Sequence, residues 1–129
     1  MVSVKKFLIF LVLLIALMIW FEDWSSSGRM DAFIQEHSDP QFTPKLLFFI
    51  GESCYTAQDS KGASHYYRWL VETYPDYEYM ARVRYHLALS LEDNGDRGRA
   101  MEQYIILKDS FTGTDYARMA KKKWELSRF

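Results

Sequence analysis

A single cysteine, Cys54, leaves this 129-residue chain without an internal disulfide framework or a cysteine-based zinc cage. Its three histidines, His37, His65 and His86, are scattered and form no metal-ligating cluster by spacing. Neither sign of charge dominates. Sixteen Lys/Arg stand against seventeen Asp/Glu, a net charge of -1. That balance, with 49% apolar residues, excludes a basic nucleic-acid binder and a polar disordered tail. The chain also lacks a glycine-rich phosphate loop, a G-x-S-x-G elbow, an H-E-x-x-H pair and a calcium loop. Asp93 and Asp96 around Asn94-Gly95 read as helix-capping residues rather than metal ligands. No nucleophile, base and pocket come together, so no enzyme activity, catalytic residue, cofactor, metal or small-molecule substrate is expected. No segment alternates with period two, so no sheet is expected.

What the chain does have is an unbroken apolar run of fifteen residues, Phe7 to Phe21, twelve of them Leu, Ile, Val or Phe. At about -0.3 to -0.6 kcal/mol each, membrane insertion is favourable by roughly 5 kcal/mol. Extended from Val2 to Trp24 as a helix, the segment covers about 34 Å, enough for a ~30 Å hydrocarbon core. Lys5 and Lys6 precede the run and stay on the cytoplasmic side, which places the rest of the chain across the membrane. Three fates compete. Cleavage near Ser27 would use Ser25-Ser26-Ser27, but bulky Trp20, Phe21 and Trp24 crowd the approach. A lipoprotein needs a cysteine just after the run, and Cys54 is too distant. An uncleaved signal-anchor is preferred. The chain then divides into an anchor (1–24), a linker with a short helix over Arg29 to His37 (25–42), and a helical domain (43–129). Cys54, in an apolar helical stretch, reads as a small buried hydrophobe.

The helical domain repeats with a period of thirty-seven. Ile50 pairs with Leu87, Gly51 with Ala88, Cys54 with Leu91, Ala63 with Ala100, Tyr67 with Tyr104, Leu70 with Leu107 and Tyr74 with Phe111. After two extra residues, Met80-Ala81-Arg82 recurs as Met119-Ala120-Lys121, then Tyr85 as Trp124. Each unit reads as two helices. The first runs from Thr43 as N-cap, with Pro44 at N1, to about Ala57. The stripe Ala63, Tyr67, Leu70, Val71, Tyr74 marks the second. Glu78 to Asn94 follows, closed by Gly95. Arg97 to Ser110 starts from Asp96, and a last helix runs from Asp115 to about Arg128.

The spacing L-x-x-I-G-x-x-C-x8-A-x3-Y-x-x-L-x4-P, Leu47 to Pro75, resembles the tetratricopeptide repeat. In the second unit Arg84 takes the first large apolar position and Thr112 the place of the proline. The long period, the tyrosine-proline ending and the Ala81 and Ala120 helix starts are similar to those of envelope proteins of Gram-negative bacteria. The resemblance covers residues 43–129 and implies a short α-solenoid of two helix pairs plus a closing helix, which with the N-terminal transmembrane helix makes an all-α fold. It implies a single-pass protein of the inner (cytoplasmic) membrane, with its N-terminus cytoplasmic and its C-terminal domain periplasmic. Such a protein would be an adaptor or accessory subunit of an envelope complex. Its partners would be other protein subunits, and the bilayer through residues 2–24, with no nucleic acid. The alternative is an exported, soluble periplasmic assembly factor released near Ser27.

Stacked helix pairs curve, and the first helix of each pair lines the concave side. The inward positions are Lys45, Phe48, Glu52 and Tyr55, then Arg82, Tyr85, Leu89 and Glu92, then Lys121, Trp124 and Arg128. A basic series (Lys45, Arg82, Lys121) runs beside an aromatic one (Phe48, Tyr85, Trp124). Together with Tyr55 these six form the candidate partner-binding set, suited to an acidic or carboxylate-ended peptide. His65 and His86 lie off the apolar stripes and read as solvated surface side chains.

Overall fold

The computed structural model describes residues 3–128, with the side chains of Ser25 and Ser26 excepted. The described residues form seven α-helices and no strand. Two compact units divide after Asp39.

In the first unit, α1 spans Val4–Ser26. The Ser3 hydroxyl accepts from the Lys6 N–H at 3.3 Å and so caps its first turn. Its Val4–Trp24 stretch has a mean hydropathy of 2.5 and buries nothing inside the molecule. By length and composition it is long and apolar enough to cross a membrane, and a signal sequence has the same character. Trp20 and Trp24 stack at 6.3 Å on its distal end. The linker expected to begin at residue 25 starts two residues later. Helix persists through Trp24-Ser25-Ser26, and Gly28, at φ +82°, makes the break that only a residue without a side chain takes cheaply. Helix α2 (Arg29–Glu36) follows.

The second unit holds α3 (Thr43–Thr56), α4 (Ser60–Thr73), α5 (Met80–Asp93), α6 (Arg97–Ser110) and α7 (Asp115–Ser127). Consecutive helices pack on one another, and in addition α3 touches α5 and α5 touches α7. The thirty-seven-residue period is carried into space. Ala63 and Ala100, Tyr67 and Tyr104, Leu70 and Leu107 are all fully buried. Burying each such leucine contributes about 1.5–3 kcal/mol. Close packing of α3 on α4 depends on Gly51: a Cβ there would lie 2.7 and 2.8 Å from two ring carbons of Tyr67.

The corners repeat too. Gln58 at φ +61° and Gly95 at φ +83° occupy matching positions in the α3–α4 and α5–α6 turns. In both turns the following aspartate donates its N–H back across the corner, Asp59 to Cys54 O and Asp96 to Leu91 O, each at 2.8 Å. That is the wrapped C-terminus of a helix closed by a left-handed residue. The same aspartates then cap the next helix through their carboxylates, Asp59 to Gly62 N and Asp96 to Arg99 N.

Two helix starts differ from the sequence reading. Phe42, not Thr43, is the N-cap of α3, and Thr43 is drawn into the helix where it is 2% exposed. Helix α5 begins at Met80 rather than Glu78. Successive turns, Tyr77 N–H to Tyr74 O and Met80 N–H to Tyr77 O, consume the intervening residues. On α7 the buried residues are Ala117 and Ala120, thirty-seven after Met80 and Val83. Burial therefore keeps the original register across the two extra residues, and these lengthen the start of the helix instead.

Candidate functional site

Glu52, on the third turn of α3, is the hub of a polar cluster on the side where α3, α5 and α7 meet. Its Oε1 accepts from the Tyr67 hydroxyl at 2.8 Å, from Arg82 Nε at 3.2 Å and from His86 Nδ1 at 3.1 Å. Its Oε2 takes the Arg82 Nη2 at 2.6 Å, completing a two-pronged guanidinium pair. These bonds tie three helices to one carboxylate. Burial works to raise the Glu52 pKa, but Arg82, Tyr67 and His86 outweigh it and hold the group below its ordinary 4.5. Burial, reinforced by the Glu52 carboxylate, pushes the Tyr67 phenol far up. For His86 burial dominates and lowers the pKa below 6.5, with Glu52 opposing.

Rings surround this cluster. Tyr55 stacks flat on His86, with centroids 4.1 Å apart and planes 4° from parallel. Tyr85 packs against Tyr104 at 6.1 Å and Tyr116 at 5.7 Å, while Tyr116 meets His86 edge-on at 6.5 Å. Toward the start of α3, Phe48 lies 5.5 Å from both Tyr77 and Tyr79, and Tyr79 is half exposed. The rings thus form two groups along the first helices, Phe48 with Tyr77 and Tyr79, and Tyr55 and Tyr85 with His86 and Tyr116.

The sequence-derived set falls in three places. Tyr55, Arg82 and Tyr85 come together around His86, with Phe48 adjoining through α3. Lys45 lies apart, on a hollow of about 530 Å3 whose walls include Pro40, Pro44 and Pro75, all three prolines of the chain. Lys121 and Trp124 line another hollow, of about 580 Å3, between α6 and α7. There the Trp124 ring has the Lys108 Nζ and the Arg128 guanidinium each 4.8 Å from its centre. The basic series is correspondingly divided, because Arg82 is committed to Glu52.

Sequence reasoning missed His86. Its side chain is only 13% exposed, and its partners on α3, Glu52 and Tyr55, lie thirty-four and thirty-one residues away. It also missed Tyr77, Tyr79 and Tyr116, which lie at helix starts and turns where an apolar stripe is not read. Arg84, set at an expected apolar position, is half buried and donates from Nη1 to Gln103 Oε1 at 2.9 Å, with its guanidinium 5.9 Å from the Phe111 ring centre. Cys54 is half buried beside Gly62, and burial, with Asp59 nearby, pushes its thiol pKa up.

The second helix pair has its own carboxylate device, displaced by one turn. Leu89 occupies the position matching Glu52, and Glu92, matching Tyr55, takes over. Lys123 of α7 reaches Glu92 at 3.4 Å. Burial first, then the Glu92 carboxylate, pushes the Tyr104 phenol far up. Among the described residues no group of three or more His, Cys, Asp or Glu converges as metal ligands. In comparison with known proteins, no protein family and no curated protein matches the chain.

Proposed function

We propose that this chain is a membrane-tethered adaptor of tetratricopeptide-like repeats that holds another polypeptide against the face formed by α3, α5 and α7. The observation that carries the reading is the two groups of rings on this face, Phe48 with Tyr79, and Tyr55 and Tyr85 with His86 and Tyr116, built over helices that touch in the sequence α3, α5, α7. Such rings give contact area at low entropic cost. The thirty-seven-residue period in burial supports a short solenoid of two pairs and a closing helix. Recognition rests on the rings more than on Arg82, whose charge Glu52 already neutralises.

The tether is α1, inserted with Lys5 and Lys6 in the cytoplasm, so that residues 43–129 work in the periplasm as part of an envelope complex. Retention, rather than cleavage near Ser27, is supported by the bulky Trp20, Phe21 and Trp24 that crowd the approach to Ser25-Ser26-Ser27. Intact mass of the detergent-extracted chain tests this. A full-length mass is expected, and a chain cut at Ser27 refutes the tether in favour of a released assembly factor. In-cell photo-crosslinking tests the face. A crosslinker at Tyr79 or Phe48 should give discrete protein adducts, and one at the exposed Glu102 of α6 should not. Equal yields at all three positions, or none at Tyr79, overturn the reading.

A further inference from the structure

We propose that the outward face of α7 docks on a lipid surface carrying anionic headgroups, given that α1 stays in the bilayer as a retained anchor. The second unit would then be held to the membrane at its last helix as well as through α1.

Charge in the second unit is unevenly spread. Residues 43–114 carry eight Lys/Arg against ten Asp/Glu. Residues 115–128 carry five, Arg118, Lys121, Lys122, Lys123 and Arg128, against Asp115 and Glu125. A chain of net charge -1 thus concentrates its positive charge on one helix. The helical period then sorts these residues. Ala117 and Ala120 are buried, Tyr116 turns its ring to Tyr85 and His86, and Lys123 reaches Glu92. Arg118, Lys121, Lys122 and Arg128 lie exposed on the opposite side, at i, i+3, i+4 and i+10, with Glu125 among them. Arg118 meets Asp115 at 2.8 Å, but both side chains are 70% or more exposed, so this pair holds the cation only weakly.

Trp124 stands at the edge of this row, with the Lys108 Nζ and the Arg128 guanidinium each 4.8 Å from its ring centre. With Lys108, Arg118 and Lys121 it lines the hollow of about 580 Å3. An indole flanked by cations suits headgroup depth: the ring enters the interface while the charges stay among the phosphates. Leu126, 74% exposed, follows Lys122 by one turn and adds apolar reach. A lipid surface fits this face better than an acidic peptide. Lys121 and Lys122 are flexible, strongly hydrated charges, matched to a diffuse field of headgroups rather than to fixed carboxylates. Location favours lipid too. Sixteen residues separate Ser26 from Thr43, about 60 Å at full extension, so the anchor keeps α7 at high effective concentration near the bilayer. The face lies across α7 from Tyr116, which leaves the ring groups free for a polypeptide.

Fluorine magnetic resonance of the full chain, labelled with fluorotryptophan at Trp20, Trp24, Trp69 and Trp124, tests this. One chain is placed in each lipid nanodisc, of phosphatidylcholine alone or with phosphatidylglycerol, and some headgroups carry a paramagnetic label. Trp20 and Trp24 should broaden in both discs. Trp124 should broaden only with phosphatidylglycerol, and Trp69 of α4 should stay sharp. Raising salt to about 1 M, where the Debye length falls to about 3 Å, should restore a sharp Trp124 signal. Each cation near such a surface is worth about fivefold, so Lys121→Glu with Lys122→Glu should weaken docking by about 25-fold or more. A Trp124 signal that stays sharp while Trp20 and Trp24 broaden overturns the docking and leaves the face to an acidic polypeptide. Broadening of Trp124 that neutral discs and salt leave unchanged, or that Trp69 shares equally, also overturns it. If Trp20 and Trp24 broaden in neither disc, the anchor itself is refuted and the docking falls with it. The salt comparison uses the unaltered chain and decides even where the double variant does not fold.

Discussion

Adding one methyl group at Gly51 and one at Gly98 should move stability in opposite directions, although both glycines are helical. At Gly51 the new Cβ would sit 2.7 Å from Tyr67 Cε1 and 2.8 Å from Cδ1. Tyr67 cannot swing aside, since its ring is fully buried and its hydroxyl is bonded to Glu52. The helices must part instead. Overpacking of this kind costs about 1–3 kcal/mol. Replacing glycine by alanine inside a helix returns about 1 kcal/mol of propensity. Gly51→Ala should therefore lose about 1 kcal/mol net. At Gly98 no atom lies within 4 Å of the added Cβ, and the position is in the first turn of α6. Gly98→Ala should gain about 0.5 kcal/mol, below the full interior value. With a urea slope of about 1 kcal/mol/M, the midpoints should move down by about 1 M and up by about 0.5 M. The assay is urea unfolding of the detergent-solubilised chain followed by circular dichroism, against wild type. If Gly51→Ala proved as stabilising as Gly98→Ala, the tight contact of α3 on α4 would be refuted.

Other outcomes follow from the same contacts. Glu52→Gln should cost about 1–3 kcal/mol at pH 7, because Arg82 and Tyr67 lose a charged acceptor. Since Glu52 titrates below 4.5 when folded, wild-type stability should fall as pH drops through that depressed value. The fall should be shallower in Glu52→Gln, by urea midpoints at a series of pH values. Thr114→Ala removes the hydroxyl that accepts from the Ala117 N–H at 3.1 Å, and should cost about 1 kcal/mol of thermal or urea stability. Thr112→Ala, at an exposed turn position, should cost nothing measurable. Cys54 should react with iodoacetamide more slowly than a cysteine in a short peptide at neutral pH, because burial keeps it a thiol. Urea should restore the peptide rate.

The helices of the second unit were legible because each is announced twice, by its own apolar stripe and by its copy thirty-seven residues away. Their starts were less so. A Thr-Pro pair reads as a cap followed by the first helical residue, since the residue before proline avoids helical angles. Burial of Thr43 overrides that local preference. The start at Met80 was hidden for the opposite reason: a pair of overlapping turns, Tyr74 to Met80, has no apolar period to read. At the site, the set read from one helix face includes Tyr55, Arg82 and Tyr85, which come together around Glu52 and His86. Which charges are already paired could not be read, because Glu52, Arg82 and His86 meet only after α4 has intervened. Trp124 was placed by assuming that two inserted residues shift the whole last copy. Ala117 and Ala120 show that the buried stripe did not shift, so Trp124 faces α6 and its Lys108.

Gln58 and Gly95 have a practical consequence. Both corners wrap the backbone identically, yet one is built on glutamine at a positive φ, a conformation costing a side-chain-bearing residue about 1–2 kcal/mol. Grafting Gly95 into the earlier bend should come free of structural side effects, like exchanging a hinge pin. Swapping whole hairpins would not, since the acidic anchor sits a turn lower in the later module and would meet the wrong cation. The molecule is modular at its elbows and bespoke along its shafts.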